Sequence, residues 1–245
     1  MKHSERWVET KFVWRNGRLR ASRDLRQVSA GSRLMTDLLA GAYEWALRKY
    51  AHGTLLDLGC GKAPLYGTYR NLVDGITCVD WPQSRHGTDH VDLSWDLNRP
   101  LPLADDSFDT ILLTDVLEHI ASPESLCREV ARLLRPGGVL IAGVPFLYPI
   151  HEEPYDYWRP TEYILKNLIS CNGLAGLVLE PVGGPVEVLG NLLNKLLARH
   201  TILGGLCRAG VGCLRSVPSI RDRSLRSARR FPLGYLLVAG KGGSP

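Results

Sequence analysis

The sequence predicts an α/β fold whose centre is a seven-stranded, mostly parallel sheet with helices on both faces. From about residue 54 onward, short apolar runs of strand length alternate with segments of helical periodicity, which is the pattern of β-α-β units. A length of 245 residues with 44% hydrophobic residues suits one such domain with additions. In a sheet of this type, ligands lie beyond the carboxyl ends of the strands.

Seven apolar runs are the predicted strands, and the third of them is short. In chain order they are TLLDL at 54–58, GITCVD at 75–80, HVDLS at 90–94, DTILLTDV at 109–116, GGVLIAGVPF at 137–146, GLVLEPV at 176–182 and PLGYLLVAGK at 232–241. Parallel neighbours need crossover connections, and right-handed crossovers place helices on both faces of the sheet.

Helical periodicity marks the segment before the first strand and the segment between the fourth and fifth strands. Over residues 32–50, apolar side chains recur at steps of three and four, namely at Leu34, Leu38, Leu39, Ala42, Trp45 and Ala46. The second helix begins at an N-cap, Ser122 or Ser125, and ends at the Pro-Gly-Gly of residues 136–138.

Basic residues concentrate near both ends of the chain, where they account for the formal net charge of +5. Residues 1–31 are interpreted as a basic N-terminal extension. Residues 32–245 form one predicted domain with a helical insertion at about 185–230. Such basic clusters bind phosphate, nucleic acid or an anionic membrane surface, or they form a solvated face.

The insertion contains an apolar stripe at helical spacing. Its members are Val186, Leu189, Leu192, Leu193, Leu196 and Leu197. Two interpretations stay open. The stripe lies on a membrane as a peripheral contact, or it belongs to a lid or dimer surface that buries it in protein.

The six cysteines include no C-x-x-C pair, and the first residues are polar and charged rather than signal-like. We therefore expect reduced thiols, no structural zinc and a cytoplasmic location, with membrane association as an addition. No apolar run reaches the about 18 residues that a membrane-spanning helix needs.

The stretch LLDLGCGKAPLYGTY at 55–69 places one acid and two glycines at the exit of the first strand. A second acid, Asp80, ends the next strand. Asp96-Leu97, the run LPLADDSFDTILLTDVLEHI and then LLRPGGVLIAGVP follow in order. Together these elements, over residues 53–143 with a return at 177–241, resemble the class I S-adenosylmethionine-dependent methyltransferases. Ala63 stands where that family usually has a third glycine.

The resemblance implies a Rossmann-like sheet and S-adenosyl-L-methionine as the cofactor. Glycines allow the backbone to approach a ligand closely, and an acid suits a ligand with a sulfonium and an ammonium group. Asp57 holds the loop amides or reaches the ammonium group, and Asp80 takes the ribose hydroxyls. The remaining predicted cofactor-binding residues are Gly59, Cys60, Gly61, Trp81, Asp96, Leu97 and Thr114.

A dinucleotide-binding oxidoreductase is the competing interpretation of a glycine-rich turn after a strand. That motif needs three glycines at G-x-G-x-x-G spacing, and Pro64 occupies the last of these positions. This position is normally small because the helix packs closely on the strand there, so the sequence favours the methyltransferase resemblance.

Two histidines beyond the fourth and fifth strands are candidate general bases. His119 and His151 both have an ordinary pKa near neutrality, and a hydroxyl acceptor must lose a proton during methylation. The loop that follows His151 is rich in polar aromatic residues, and we expect Tyr155, Tyr157, Trp158 and Arg159 to form the acceptor wall. Alternatively, Arg159 pins the loop by pairing with Asp156. The His, Glu, Tyr and Asp residues of this loop also suggest a metal ion, as in catechol-type methylation, but that chemistry needs acids in a different arrangement, so no metal ion is expected.

These observations lead to a predicted S-adenosylmethionine-dependent methyltransferase that methylates an oxygen of a small-molecule, saccharide or lipid-linked acceptor. An RNA methyltransferase is the first alternative because of the basic ends, although the segment after the fourth strand lacks the Pro-Pro motif of DNA amino-methylases. A non-catalytic, cofactor-binding scaffold protein is the second. A dimer is compatible with the sequence.

Overall fold

The computed structural model describes residues 1–197 and 200–242. The strands of this part of the chain are β1 (Phe12–Arg15), β2 (Arg18–Ala21), β3 (Thr54–Leu58), β4 (Gly75–Asp80), β5 (Leu93–Ser94), β6 (Phe108–Thr114), β7 (Leu134–Pro145), β8 (Leu174–Val182) and β9 (Gly234–Lys241). The helices are α1 (Arg33–Tyr50), α2 (Tyr66–Tyr69), α3 (Pro123–Leu133), α4 (Glu162–Cys171), α5 (Pro185–Leu196), α6 (Thr201–Ser216) and α7 (Pro218–Arg226). Short 3-10 turns lie at Ser4–Arg6 and Leu117–His119.

Seven strands form one sheet in the order β5-β4-β3-β6-β7-β9-β8. The pairs β3/β4, β4/β5, β3/β6 and β6/β7 are parallel, and β9 runs antiparallel to both β7 and β8. The predicted mostly parallel, seven-stranded α/β fold is therefore confirmed. The third predicted strand, HVDLS, is reduced to two residues that pair with the end of β4.

The core lies in two layers, one on each face of the sheet. In β3, Leu56 and Leu58 belong to the layer under α3 and α4, whereas Leu55 belongs to the layer under α1. This alternation is the period of two expected for a strand that is buried on both faces. Tyr43 on α1 and Leu133 on α3 are fully buried against the sheet.

The first 22 residues are ordered against the rest of the chain. The hairpin β1–β2 packs on α1, where the backbone N–H of Leu19 donates to Glu44 Oε2 at 2.9 Å. Phe12 meets Tyr43 edge-on with ring centroids 6.1 Å apart. Ahead of the hairpin, Trp7 Nε1 donates to the carbonyl of Ala63 at 3.0 Å. The basic N-terminal segment consequently reaches the carboxyl ends of the central strands.

Helix α5 has an inverted polarity. Four side chains of the apolar stripe are exposed, namely Leu189, Leu192, Leu193 and Leu196, whereas Val186 and Leu197 are half-buried. Asn191 and Asn194 are buried instead, and neither side-chain amide has a hydrogen-bond partner among the described residues. The described residues therefore leave these four leucines exposed.

Candidate active site

A cavity of about 720 Å³ opens at the carboxyl ends of β3, β4, β6 and β7. This is the edge at which a parallel sheet of this type binds its ligands. Most of the sequence-predicted site residues line it. They are Gly59, Cys60, Gly61, Asp80, Trp81, Asp96, Leu97, Thr114, His119, His151, Tyr155 and Tyr157. Asp57, Trp158 and Arg159 do not line the cavity.

The glycine loop after β3 adopts the left-handed backbone conformation at both glycines, with φ of 69° at Gly59 and 53° at Gly61. A Cβ atom at Gly59 would also overlap Val116 Cγ2, so this position accepts no larger residue without a shift. Ala63 has φ of 48° as well. Alanine tolerates this conformation at a cost of roughly 1–2 kcal/mol, which explains why a glycine also suits the position.

Asp80 joins the end of β4 to the glycine loop. Its Oδ2 accepts from the N–H of Gly61 at 2.8 Å, and its Oδ1 accepts from the N–H of Trp81 at 2.7 Å. Burial raises the pKa of Asp80, and these two backbone hydrogen bonds oppose that shift. The carboxylate therefore sets the shape of the loop while it faces the cavity.

Asp57 does not line the cavity and lies on the other side of the glycine loop. Its side chain is buried, and its Oδ2 accepts from the Tyr69 hydroxyl at 2.8 Å. Burial raises the pKa of Asp57 to about 7, although the Tyr69 hydrogen bond lowers it and Asp80 raises it further. This placement fits a residue that supports the loop from behind, and it does not fit direct contact with the ammonium group of a ligand in the cavity.

A second wall of the cavity follows β5. Asp96 Oδ1 accepts from the N–H of Asn98 at 2.9 Å, and Asn98 Oδ1 accepts from the N–H of Ala121 at 2.9 Å. Leu97 is buried beside them. Trp81 packs edge-on against Tyr155 with ring centroids 5.1 Å apart, which brings the aromatic loop to the cofactor end of the cavity.

His119 and His151, predicted as alternative bases, come together around Glu118. His151 Nε2 lies 3.6 Å and His119 Nε2 lies 3.8 Å from Glu118 Oε1. The Glu118 side chain is fully buried, and its two oxygens have no hydrogen-bond partner among the described residues. Burial raises the pKa of Glu118. For His151, the carboxylates of Glu118 and Asp156 outweigh burial, which acts in the opposite direction, and the pKa is raised overall.

The aromatic loop divides between the cavity and the protein interior. Tyr155 and Tyr157 line the cavity, but Trp158 packs against the core and its Nε1 donates to the carbonyl of Leu117 at 2.7 Å. Arg159 pairs with both carboxylate oxygens of Asp156 and donates to the carbonyls of Tyr148 and Pro149. The expectation that Arg159 is available to hold an acceptor is therefore not supported, and its contacts fit the alternative role of pinning the loop.

Lys11 is a cavity residue that sequence reasoning did not select. Its Nζ lies 2.7 Å from Asp115 Oδ2, and Asp115 Oδ1 accepts from the Tyr43 hydroxyl at 3.2 Å. Burial alone would lower the pKa of Lys11, but Asp115 and the more distant Tyr148 and Glu118 raise it overall. Lys11 and Asp115 are 104 positions apart in the chain, so no local motif connects them.

The rim of the cavity is closed by a contact between two loops. His86 Nε2 lies 3.0 Å from Glu152 Oε1. The hydrogen bond from His86 lowers the pKa of Glu152 to about 2, against the effect of burial. The loop after β4 and the loop after β7 therefore meet above the glycine loop.

The comparisons with known proteins agree with this geometry. A family model described as a methyltransferase domain matches residues 56–142. A ubiquinone biosynthesis O-methyltransferase of Caulobacter vibrioides is 33% identical over 97 residues, which are 36% of this chain and 38% of that protein. A probable S-adenosylmethionine-dependent methyltransferase of Mycolicibacterium smegmatis is 25% identical over 166 residues, which are 64% of each chain. This chain thus spans less than two thirds of the length of either relative.

Among solved structures, the cyclase SpnF superposes with a TM-score of 0.57 at 19% identity, covering 97% of this chain and 89% of that one. At this identity the likeness concerns the fold alone. Residues 56–142 match a methyltransferase domain, and the sheet has the Rossmann-like arrangement that the class I S-adenosylmethionine-dependent methyltransferase resemblance implies. The cofactor of this domain is S-adenosyl-L-methionine, and a cavity with a glycine loop in the left-handed conformation and the Asp80 carboxylate on its wall fits that cationic ligand.

Proposed function

We propose that this protein transfers a methyl group from S-adenosyl-L-methionine to an oxygen of a small-molecule, saccharide or lipid-linked acceptor. The observation that carries the proposal is the position of two histidines, His119 and His151, on the wall of the cavity that also contains the glycine loop and Asp80. Hydroxyl methylation requires removal of a proton, and these imidazoles are suitable groups for it.

The cofactor residues form one half of the cavity. Gly59, Cys60 and Gly61 offer backbone in close approach, and Asp80 is placed for the ribose hydroxyls. Trp81 and Leu97 lie on the side expected to meet the adenine ring. The bound cofactor supplies a methyl group on a positively charged sulfur.

The acceptor side lies between His119, His151, Tyr155 and Tyr157. An acceptor hydroxyl placed there donates an oxygen lone pair to the methyl carbon. The carbon–sulfur bond breaks with its electron pair remaining on sulfur, and the hydroxyl proton passes to a neutral imidazole. Alignment of the two reactants supplies much of the acceleration, up to about 7–11 kcal/mol, and proton removal contributes a further ~10²–10⁴-fold.

Among the proposed acceptor classes, the surface of the helical insertion favours an acceptor that is presented at a membrane. The side chains of Leu196 and Ile202 are each 77% exposed, and Leu206 is 65% exposed. Exposed arginines follow on the next segment at Arg221, Arg223, Arg226, Arg229 and Arg230. Exposed apolar side chains beside positive charge complement an anionic lipid surface. None of the described helices combines the length and apolar composition needed to cross a bilayer, so the proposed contact is peripheral, by a cytoplasmic enzyme.

The proposal is tested first by calorimetry with S-adenosylhomocysteine. Wild type is expected to bind in the micromolar range, Asp80→Ala at least ten-fold more weakly, and the exposed control Asp89→Ala like wild type. Labelled-methyl transfer is then measured on small-molecule, saccharide, lipid-linked and RNA pools. His119→Ala or His151→Ala should reduce kcat while cofactor affinity stays unchanged.

Either of two results would overturn the proposal. Methylation of RNA alone, with binding that weakens steeply as salt rises, would favour the RNA methyltransferase. Cofactor binding without transfer to any pool would favour the non-catalytic scaffold protein.

A further inference from the structure

The cluster of Glu118, His119 and His151 has the composition and spacing of a metal site. Their candidate ligand atoms all lie within 4.8 Å of one another. Two imidazoles and one carboxylate are the ligand set that transition-metal cations such as Zn²⁺, Co²⁺ and Fe²⁺ prefer, whereas Mg²⁺ prefers oxygen alone. The spacing of residues 118–119 and 151 in sequence gave no indication of this, because the three meet only through the ends of β6 and β7.

The distances inside the cluster fit ligands better than they fit hydrogen bonds. The two Nε2–Oε1 separations of 3.6 and 3.8 Å are too long for hydrogen bonds. Ligands about 2.1 Å from one cation and arranged tetrahedrally stand ~3.4 Å apart, from the metal–ligand lengths of nitrogen and oxygen. The two measured separations exceed that value by only about 0.2 and 0.4 Å.

A protein oxygen lies next to the Nδ1 atom of each imidazole. His119 Nδ1 lies 2.7 Å from the carbonyl of Tyr155, and His151 Nδ1 lies 3.2 Å from Asp156 Oδ2. A carbonyl or carboxylate on one ring nitrogen keeps the proton there and leaves the other nitrogen with a free lone pair, which is the outer arrangement found around metal-binding histidines. In both residues Nε2 is the ring nitrogen nearer to Glu118. The Nδ1 atom of His151 also lies 3.5 Å from Arg159 Nη2.

The burial of Glu118 also points to a bound cation, and this observation is independent of the histidine geometry. Its side chain is fully buried, its two oxygens lack hydrogen-bond partners among the described residues, and Glu118 is one of the residues around the cavity. A buried carboxylate without a partner is unfavourable unless a cation or proton compensates it. An unpartnered carboxylate aimed at two free imidazole nitrogens is the environment that a divalent cation would complete.

We propose that Glu118, His119 and His151 bind one divalent transition-metal cation, and that this cation binds the acceptor oxygen in the methyl transfer. The second half of this statement rests on the proposed function. Three protein ligands leave open positions toward the cavity, as in catalytic rather than structural metal sites. A bound cation would lower the pH at which an acceptor hydroxyl loses its proton to solvent. The acceptor oxygen would then form the new bond to the methyl carbon, and the electron pair of the broken carbon–sulfur bond would remain on sulfur.

In this arrangement the two histidines serve the same removal of the acceptor proton, but they do so by holding the cation and not by accepting the proton themselves. The acceptor class narrows to molecules that offer an oxygen, or two neighbouring oxygens, to a cation. The two tyrosines of the wall, Tyr155 and Tyr157, would then flank the acceptor without binding the cation, because neither belongs to the cluster.

The test uses the full chain without a tag, treated with chelator, in a Cys171→Ser/Cys213→Ser background because both thiols are exposed. Co²⁺ alone is the probe, followed by its visible absorption and by equilibrium dialysis. We expect one Co²⁺ per chain. His119→Ala, His151→Ala and Glu118→Gln should each weaken binding at least ten-fold. His52→Ala removes an exposed histidine outside the cluster and should change nothing.

A second readout does not depend on activity. Saturating Co²⁺ should raise the urea midpoint of the parent protein, because a ligand that binds only the folded chain stabilises it. The midpoint of Glu118→Gln should rise by much less. Circular dichroism verifies each fold, and His→Gln replaces His→Ala at any position where the alanine variant is unfolded.

These experiments distinguish failure of the proposed metal site from failure of the proposed methyltransferase function. Absence of stoichiometric Co²⁺, or affinity unchanged by the three substitutions, overturns the metal site even if S-adenosylhomocysteine binds. Co²⁺ binding that depends on the cluster, without S-adenosylhomocysteine binding, supports the metal site and contradicts the proposed function. Methyl transfer that persists undiminished in chelator overturns the role of the cation in the reaction.

Discussion

The fold buries the carboxyl group of Asp57. It stands in the motif as an acid at the exit of a strand, yet its closest polar neighbour is the Tyr69 hydroxyl and it does not reach the cavity. Asp80, which has the same position on the next strand, remains on the cavity wall. Two acids with equivalent sequence signals therefore differ in role because one is buried behind the loop and the other lies in front of it.

The raised pKa of Asp57 makes a prediction about stability and pH. The folded-state value of about 7 lies above the ordinary value of 3.8, so the fold favours the neutral acid. Stability is therefore fully present below about pH 4, and it falls as pH rises toward 7, by roughly 4 kcal/mol for a shift of this size. Asp57→Asn should remove this fall. The cofactor-free variant should be more stable than wild type at pH 8 and nearly equal to it at pH 4.

Urea unfolding of both proteins between pH 4 and pH 8 checks the prediction. Asp74→Asn is the matched control, since Asp74 is an exposed acid on a loop of the same βα unit. If the wild type and Asp57→Asn follow parallel pH profiles, Asp57 is already ionised in the folded protein and the argument from burial fails.

At the scale of elements, the N-terminal hairpin is part of the site. Residues 12–21 were not predicted as strands, although Asn16-Gly17 between two partly apolar runs is a hairpin turn signal, and both residues have positive φ. The strands β1 and β2 pack on α1 and carry Lys11 to the strand ends. The turn signal predicts the hairpin, but it does not predict the surface on which the hairpin packs. Here that surface is Tyr43, Glu44 and Asp37 of α1, which accept or pack against hairpin groups.

Lys11→Met tests how much the contact between the N-terminal segment and the strand ends contributes to stability. The substitution leaves the Asp115 carboxylate without its cation at the cavity floor, where both side chains are only partly exposed. We expect a loss of about 1–3 kcal/mol in the free energy of unfolding, between the values for exposed and buried pairs. Lys166→Met, which removes an exposed pair with Glu162, should lose at most about 0.5 kcal/mol. Urea unfolding measures both, and equal losses would show that the hairpin contact contributes no more than a surface pair.

At the scale of the whole molecule, the cavity does not explain the exposed apolar side chains on α5 and α6. A chain that exposes several leucines on adjoining helices while burying Asn191 and Asn194 behind them has an interaction surface rather than a solvent face. The neighbouring arginines favour an anionic membrane over a neutral partner.

Vesicle sedimentation distinguishes the candidates for this surface. Binding to vesicles that contain anionic lipid should exceed binding to neutral phosphatidylcholine vesicles. It should decrease at least ten-fold in Leu196→Glu/Ile202→Glu. Leu177→Glu alters an equally apolar exposed position on β8 and should bind like wild type. Analytical ultracentrifugation is the complement, because a dimer that the double variant dissociates would mean that a second copy, and no membrane, covers the stripe.

The sequence by itself determined where the seven strands of the central sheet lie along the chain, the glycine loop and the acid at the end of β4. These are local features: apolar runs of strand length, and turns in which only small residues fit, follow from the nearest neighbours in the chain. The resemblance to the methyltransferases was carried by the same features, which is why the fold and the cofactor could be predicted from residues 53–143.

Only the tertiary structure decided which side chains meet. It placed Asp57 behind the loop, occupied Arg159 with Asp156 and turned the stripe of α5 outward, because burial and pairing depend on surfaces that are distant in the chain. It also joined Lys11 to Asp115 and gathered Glu118, His119 and His151. Spacing along a sequence cannot show such contacts, since the carboxyl ends of parallel strands bring together residues from separate β-α units.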